Sequence, residues 1–231
     1  MSARDNIFAK LKKAEAIPMA EPETARYYQE HEMTWEDEVS RLKHWASVMR
    51  AVKTEIFWVT PESWPEVFCR VAAEKGLKNI VLPLKTDHGC RAAEALQANG
   101  VAVRGFEQGI EDWKHEFFLE VDAGFSGSRC GIARTGTIML FSSPEEPRSL
   151  SLVPPVHVCL FDTSKMYNEF HHAVSGEKLV ENGMPTNVIL ISGPSKTADI
   201  QLTLAYGAHG PRDLVVLALL PQNINPADLE D

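Results

Sequence analysis

The stretch from Ser192 to Asp199 (SGPSKTAD) sets hydroxyls, an ammonium and a carboxylate close together in one loop. Before it, Asn187 to Ile191 is apolar and β-branched and reads as a buried strand that must stop at Gly193-Pro194. Beyond it, Ser195 and Thr197 offer capping hydroxyls, and Ile200, Leu202, Leu204 and Ala205 predict a short helix closed by Gly207. The free N–H groups of such a helix start, with those hydroxyls and Lys196, suit a carboxylate or phosphate. Asp199 repels an anion, yet its carboxylate is fit to accept a bond from a ligand hydroxyl. The plainer alternative is a capped helix after a strand, which any α/β protein contains. Neither GxxxxGK[ST] nor GxGxxG is present, so no nucleotide fingerprint supports a phosphate specifically.

Three further places carry candidate binding or catalytic groups. Thr135-Gly136-Thr137 puts two hydroxyls around a residue whose bare backbone a ligand can approach, or which merely bends the chain between strands. Arg148, after the Pro144 to Pro147 loop, has the planar guanidinium suited to a carboxylate, although a loop arginine is more often simply solvated. His209 lies in Gly207-Ala208-His209-Gly210-Pro211, where an imidazole can serve as acid or base near neutral pH or only stitch a turn. His157 sits inside an apolar run and reads as a hydrogen-bonded core group. The adjacent His171 and His172 point apart, poor geometry for one metal, and no metal site is expected.

The elements that must position these groups follow an α/β pattern. Strands are expected at Ile56–Thr60, Asn79–Leu84, Val101–Val103, Thr137–Phe141, Val156–Phe161 and Leu214–Leu220, the last apolar throughout as in a strand covered on both faces. Helices are expected at Pro61–Lys75, Arg91–Ala98 and Lys165–Val174. Trp113–Val121 reads as strand or irregular structure, and Gly-rich Ala123–Arg129 as a turn-rich lead. Alternation of this kind requires crossover helices, hence a mainly parallel sheet with helices on both faces. Residues 1–50 read as an N-terminal helical arm, 51–222 as the α/β domain, and 223–231 as a polar, frayed tail. In the arm, Ile7, Phe8 and Leu11 share one helical face opposite lysines.

With 44% hydrophobic and 24% charged residues, the 231-residue chain has the composition of an ordinary globular protein. Its net charge of -9 opposes nucleic acid and anionic lipid, so neither is expected as a partner. No apolar run suggests a membrane span or signal peptide, and a cytoplasmic location is expected. Cys69, Cys90, Cys130 and Cys159 form no CxxC, so neither an iron–sulfur cluster nor any other cofactor is expected on this chain.

SGPSKTADI at Ser192–Ile200, GAHGP at Gly207–Pro211, GIARTGTIML at Gly131–Leu140 and RSLSLVPPVH at Arg148–His157 occur in an order that resembles the lactate-utilization (LUD) domain family. The resemblance covers roughly residues 50 to 220, and RDNIFAKLKKA also looks like that family's N-terminal helix. Arg134 departs from it, since the family usually has an acid there. The resemblance implies a ribose-phosphate isomerase/CoA-transferase-like α/β fold. It also implies a role in bacterial oxidation of L-lactate to pyruvate beside separate iron–sulfur subunits, and it favours a pocket at Thr135 to Thr137. Three functions stay open. The chain is a subunit that binds a small hydroxy-acid anion, a non-catalytic scaffold of the same system, or a stand-alone isomerase or acyl-transfer enzyme on a phosphorylated or CoA-linked substrate.

Overall fold

The computed structural model describes residues 2–14, 19–20, 22–106, 109–198 and 204–230. In chain order the helices are α1 (Ala3–Lys13), α2 (Thr24–His31), α3 (Glu38–Ala51), α4 (Trp64–Glu74), α5 (Asp87–Ala98), α6 (Ile110–Leu119), α7 (Ser149–Leu152) and α8 (Phe170–Gly176). The strands are β1 (Glu55–Val59), β2 (Asn79–Val81), β3 (Ala102–Arg104), β4 (Ala123–Gly127), β5 (Cys130–Ile132) and β6 (Thr137–Phe141). They continue with β7 (Val156–Asp162), β8 (Met166–Tyr167), β9 (Val188–Ile191), β10 (Lys196–Ala198), β11 (Leu204–Tyr206) and β12 (Asp213–Leu219).

Two compact units divide the chain, Met1–Glu32 and Met33–Asp231. In the first, α1 opens with a reciprocal cap: Asp5 N–H donates to Ser2 Oγ at 3.2 Å and Ser2 N–H to Asp5 Oδ2 at 2.9 Å. The Ser2 N–H, and next its hydroxyl donating to Asp5 Oδ2 at 2.8 Å, hold the Asp5 carboxyl below its usual range. Ile7, Phe8 and Leu11 are exposed along one side of α1.

The second unit is built on a six-stranded sheet in the order β1-β12-β7-β4-β2-β3, parallel throughout. Strand periodicity splits its side chains between two cores. Leu214, Val216 and Ala218 of β12, with Cys159 and Phe161 of β7, pack beneath α3, whose Leu42, Trp45, Ala46 and Met49 are buried. Val215 and Leu217, with Val156 and Val158, pack beneath α4 and α5 on the other face. Arm and domain therefore divide at Glu32 rather than at residue 50, because α3 belongs to the core. The segment after residue 222 is no frayed tail either, for Ile224 and Leu229 are buried in the α3 cluster.

Other departures from the sequence reading have equally local causes. Trp113–Val121 is largely helical: α6, which kinks at Trp113, buries Trp113 and Phe117. The stretch read as a turn-rich lead forms central strand β4, with glycine at 124 because a Cβ there would stand 2.1 Å from the Leu150 carbonyl oxygen of α7. The expected helix at Lys165–Val174 begins only at Phe170, after a 3-10 turn and β8. A second sheet, β8-β5-β6-β9, stands beside the first, so the strand before Ser192 is a half-buried edge with Leu190 at 47% exposure. The helix expected from Ser195 is instead an antiparallel ribbon in which Lys196 pairs with Tyr206 and Thr197 with Ala205. Ile200, Leu202 and Leu204 recur every second residue, the strand period. Ile200 and Leu202 themselves lie outside the described residues.

Candidate functional site

Thr135 lies in the turn from β5 to β6 and Thr137 opens β6, while Ser192 follows β9; antiparallel pairing of Ile138 with Ile191 brings the last two together. Thr137 Oγ1 lies 2.7 Å from both Thr135 Oγ1 and Ser192 Oγ, so three hydroxyls form one hydrogen-bonded row. Ser192 is exposed at the end of the row, which leaves it capacity for a further partner. The two glycines beside the row have another use. Gly136 has a φ of +56°, and a Cβ there would lie 2.7 Å from Val48; a Cβ at Gly193 would meet Val52 at the same distance. What approaches the bare backbone is the end of α3, not open ligand space. Trp45 on the same helix donates its indole N–H to the Thr137 carbonyl at 3.2 Å, fixing the strand from behind.

Beside this row, Arg134 Nη1 reaches the buried Glu169 carboxylate at 2.7 Å. The Arg134 guanidinium thus brings a carboxylate to its own position.

The ribbon loop lies at the other end of the polar stretch. Ser195 donates its N–H to the Pro211 carbonyl at 2.8 Å and accepts from Gly207 N–H at 3.0 Å. A Cβ on Gly210 would touch Ser195 Cβ at 3.3 Å, so these residues pack directly on one another. Lys196 and His209 are exposed, Thr197 is half-buried, and Lys53 Nζ lies 4.3 Å from the centre of the Tyr206 ring. Because β10 is extended, no helix start presents N–H groups at Ser195 to Thr197, and the anion-binding argument from a helix terminus does not apply. Asp199 lies outside the described residues. His209 precedes β12 by four residues and so adjoins the amino ends of the parallel strands.

Arg148 is elsewhere. It is exposed and lines a narrow cavity with Ser126, Gly127, Ser142, Glu146 and Ser151, over the carboxyl end of β4. A pair that sequence reading missed sits in this place. Glu146 Oε1 accepts from His88 Nε2 at 2.6 Å and from Gly127 N–H at 2.9 Å. Thr86, the N-cap of α5, holds the helix start by accepting from Gly89 N–H at 3.1 Å and donating to the Pro83 carbonyl at 2.8 Å. His88 and Glu146 belong to no motif and are 58 residues apart in the chain, so spacing gave no signal.

Below them, His157 is fully buried, with Nε2 2.9 Å from Ser126 Oγ. Burial depresses its pKa to about 3, so this imidazole is neutral and does not act as a proton carrier near neutral pH. Nδ1 has no partner among the described residues. Burial likewise pushes the Cys130 and Cys159 thiols up to about 12, which makes both packing groups rather than thiolate ligands. Among the described residues no three His, Cys, Asp or Glu side chains gather as a metal site, and no helix is long and apolar enough to cross a membrane.

A parallel sheet covered on both faces, with an appended mixed sheet and loops at the strand ends, places the protein in the open α/β class. Residues 42–219 match the family model described as LUD domain, and the chain belongs to that family. An uncharacterized protein of Neisseria meningitidis serogroup B is 71% identical over 231 residues, covering 100% of this chain and 99% of its own. Lactate utilization protein C of Shouchella clausii is 35% identical over 92 residues, 39% of this chain and 40% of its own length. Its counterpart in Halalkalibacterium halodurans is 32% identical over 117 residues, 44% and 49% of the two chains. The aligned stretch thus spans less than half of these lactate utilization relatives. A crystal structure of a DUF162 family protein from Deinococcus radiodurans superimposes with a TM-score of 0.58 at 19% identity, over 80% of this chain and 99% of that one, a likeness of fold.

Proposed function

We propose that this chain is a subunit of a bacterial lactate-utilization system, acting in the cytoplasm to support oxidation of L-lactate to pyruvate together with iron–sulfur partner subunits. The observation that carries this reading is the 30–35% identity to several proteins named lactate utilization protein C, within a shared LUD domain. The ligand is a small anion. Thr135, Thr137 and Ser192 offer it a preformed row of hydroxyls, and Lys196, four residues beyond Ser192 on β10, and His209, on the loop packed against Ser195, supply charge and a proton acceptor. Oxidising a 2-hydroxy acid removes two electrons and two protons. In this reading the electrons go to the partners' clusters, and His209 is the candidate base on this chain.

Lactate oxidation measured with an artificial acceptor tests the assignment. The purified chain alone is expected to be colourless and inactive, and to support pyruvate formation once the iron–sulfur subunits are added. Robust oxidation by the chain alone would defeat the reading. An unchanged rate for His209→Ala in the reconstituted system would remove His209 from the chemistry.

A scaffold role is the second reading, and the apolar side of α1 favours it. Ile7, Phe8 and Leu11 are 59%, 49% and 63% exposed, a face suited to a partner helix. If deleting residues 2–14 abolishes co-purification of the iron–sulfur subunits while Ser192→Ala leaves activity intact, scaffolding is the better account.

A further inference from the structure

The six-stranded sheet changes the side on which its connections leave between β2 and β4. After β2 the chain enters α5, whose Ala92, Ala93 and Leu96 pack on the face shared with α4. After β4 it enters the second sheet, whose Ile138 and Leu140 pack with α3 on the opposite face. Two neighbouring parallel strands whose outgoing chains part in this way leave a crevice at their carboxyl ends, and open α/β sheets bind ligands there. Here the crevice holds a carboxylate that belongs to the chain itself. Glu146 Oε1 lies between Gly127 N–H, the last amide of β4, and His88 Nε2, in the first turn after β2. Since a carboxylate only accepts, Nε2 carries the proton.

Glycine at 127 keeps this cradle open: a Cβ would stand 3.2 Å from His88 Nε2 and 3.6 Å from Glu146 Oε1. Cavities flank the loop that delivers Glu146. One is lined by Ser126, Ser142 and Arg148, the other by Lys85, Phe106 and Pro144. Ser142 Oγ is buried in the first without a hydrogen-bond partner among the described residues, a polar group with unused capacity. Pro144 and Pro147 bracket the delivering segment and restrict it to few conformations.

We propose that this crevice is a binding site for a small monocarboxylate, and that Glu146 is a built-in competitor whose side chain stands where the ligand's carboxylate would bind. The incoming carboxylate takes the bonds from Gly127 N–H and His88 Nε2, the Glu146 side chain rotates out while its proline-bracketed loop stays in place, and the freed space lies beside Arg148 and Ser142. Arg148 adds a cation to the entering anion, and Ser142 offers a hydroxyl to a 2-hydroxy or 2-keto oxygen. This site is separate from the hydroxyl row of Thr135, Thr137 and Ser192.

Titration of the full chain with L-lactate and with acetate, following the backbone amide resonance of Gly127 by NMR, tests the proposal without partner subunits. Both carboxylates should shift that resonance in the wild type, with a midpoint at least tenfold lower in Glu146→Ala. Glu146→Gln, which keeps the loop's acceptor but not its charge, should fall between them and covers the case in which the alanine variant misfolds. Adding His88→Gln to either variant should raise the midpoint again. A Gly127 resonance indifferent to carboxylate, or a midpoint unaltered by removal of the Glu146 charge, would make Glu146 a loop fastener only and overturn the proposal. Because the readout is binding at Gly127 and not lactate turnover, it can fail while the lactate-utilization assignment stands.

Discussion

An imidazole in the middle of a parallel sheet makes stability depend on acid at one residue. His157 has a pKa of about 3 when folded and an ordinary value of 6.5, so between those limits the unfolded chain binds the extra proton. The contribution of neutral His157 is present in full above about pH 6.5 and is lost as pH falls toward 3. Urea midpoints should therefore drop between pH 7 and pH 4.5, and the drop should shrink in His157→Gln; an equal drop in both proteins would assign the acid sensitivity to other groups. Charge at the surface makes a different prediction. Lys196→Met and Arg148→Met should each weaken an anion without unfolding the protein, by about 1.5–3 kcal/mol where the bond is sheltered and less at these exposed positions. Since the two residues lie at different places, titrating an anion against each variant shows which place it occupies. Residues of this kind were only partly legible. The Thr137–Ser192 contact follows from hydroxyls at strand starts and ends, whereas the His88–Glu146 bond depends on a strand order that no local pattern encodes.

At the level of elements, the sequence pattern succeeded where a strand is long and covered on both faces, as in β7 and β12, because an apolar run admits little else. It failed where small residues serve packing. Ala123–Gly127 looks like a loop because Gly124 must admit the α7 backbone, and no residue within β4 reveals that neighbour. Gly124→Val should accordingly lower the thermal midpoint steeply, with at least the roughly 1–3 kcal/mol typical of overpacking, since the obstacle is a carbonyl and not a movable side chain. Gly136→Ala should cost about as much, through a positive φ and contact with Val48. Shortening Val48 to alanine in the same protein should restore part of the loss, a coupling that a purely conformational penalty would not show. The ribbon from Lys196 failed for another reason. Its capping residues and apolar content suit a helix start, and only the two-residue spacing of Ile200, Leu202 and Leu204 spoke for extended chain.

For the molecule as a whole, the division at Glu32 predicts where the chain can be cut. A protein starting at Met33 retains α3 and both faces of the sheet, and should melt cooperatively close to the full chain. One starting at residue 52 loses Leu42, Trp45, Ala46 and Met49 from the core and should not fold; circular dichroism melts of the two would decide. The strand order has a consequence for synthesis. β12 lies between β1 and β7, so Glu55 finds its partner only when Val215 has been made. At about 5–20 residues per second, β1 leaves the ribosome roughly ten to thirty seconds before the strand that completes its pairing. β1 lacks its partner throughout that interval, and β7 presents an unpaired edge from its own synthesis until β12 follows. A nascent chain stalled before residue 213 should then bind chaperones persistently, and release should coincide with the emergence of β12.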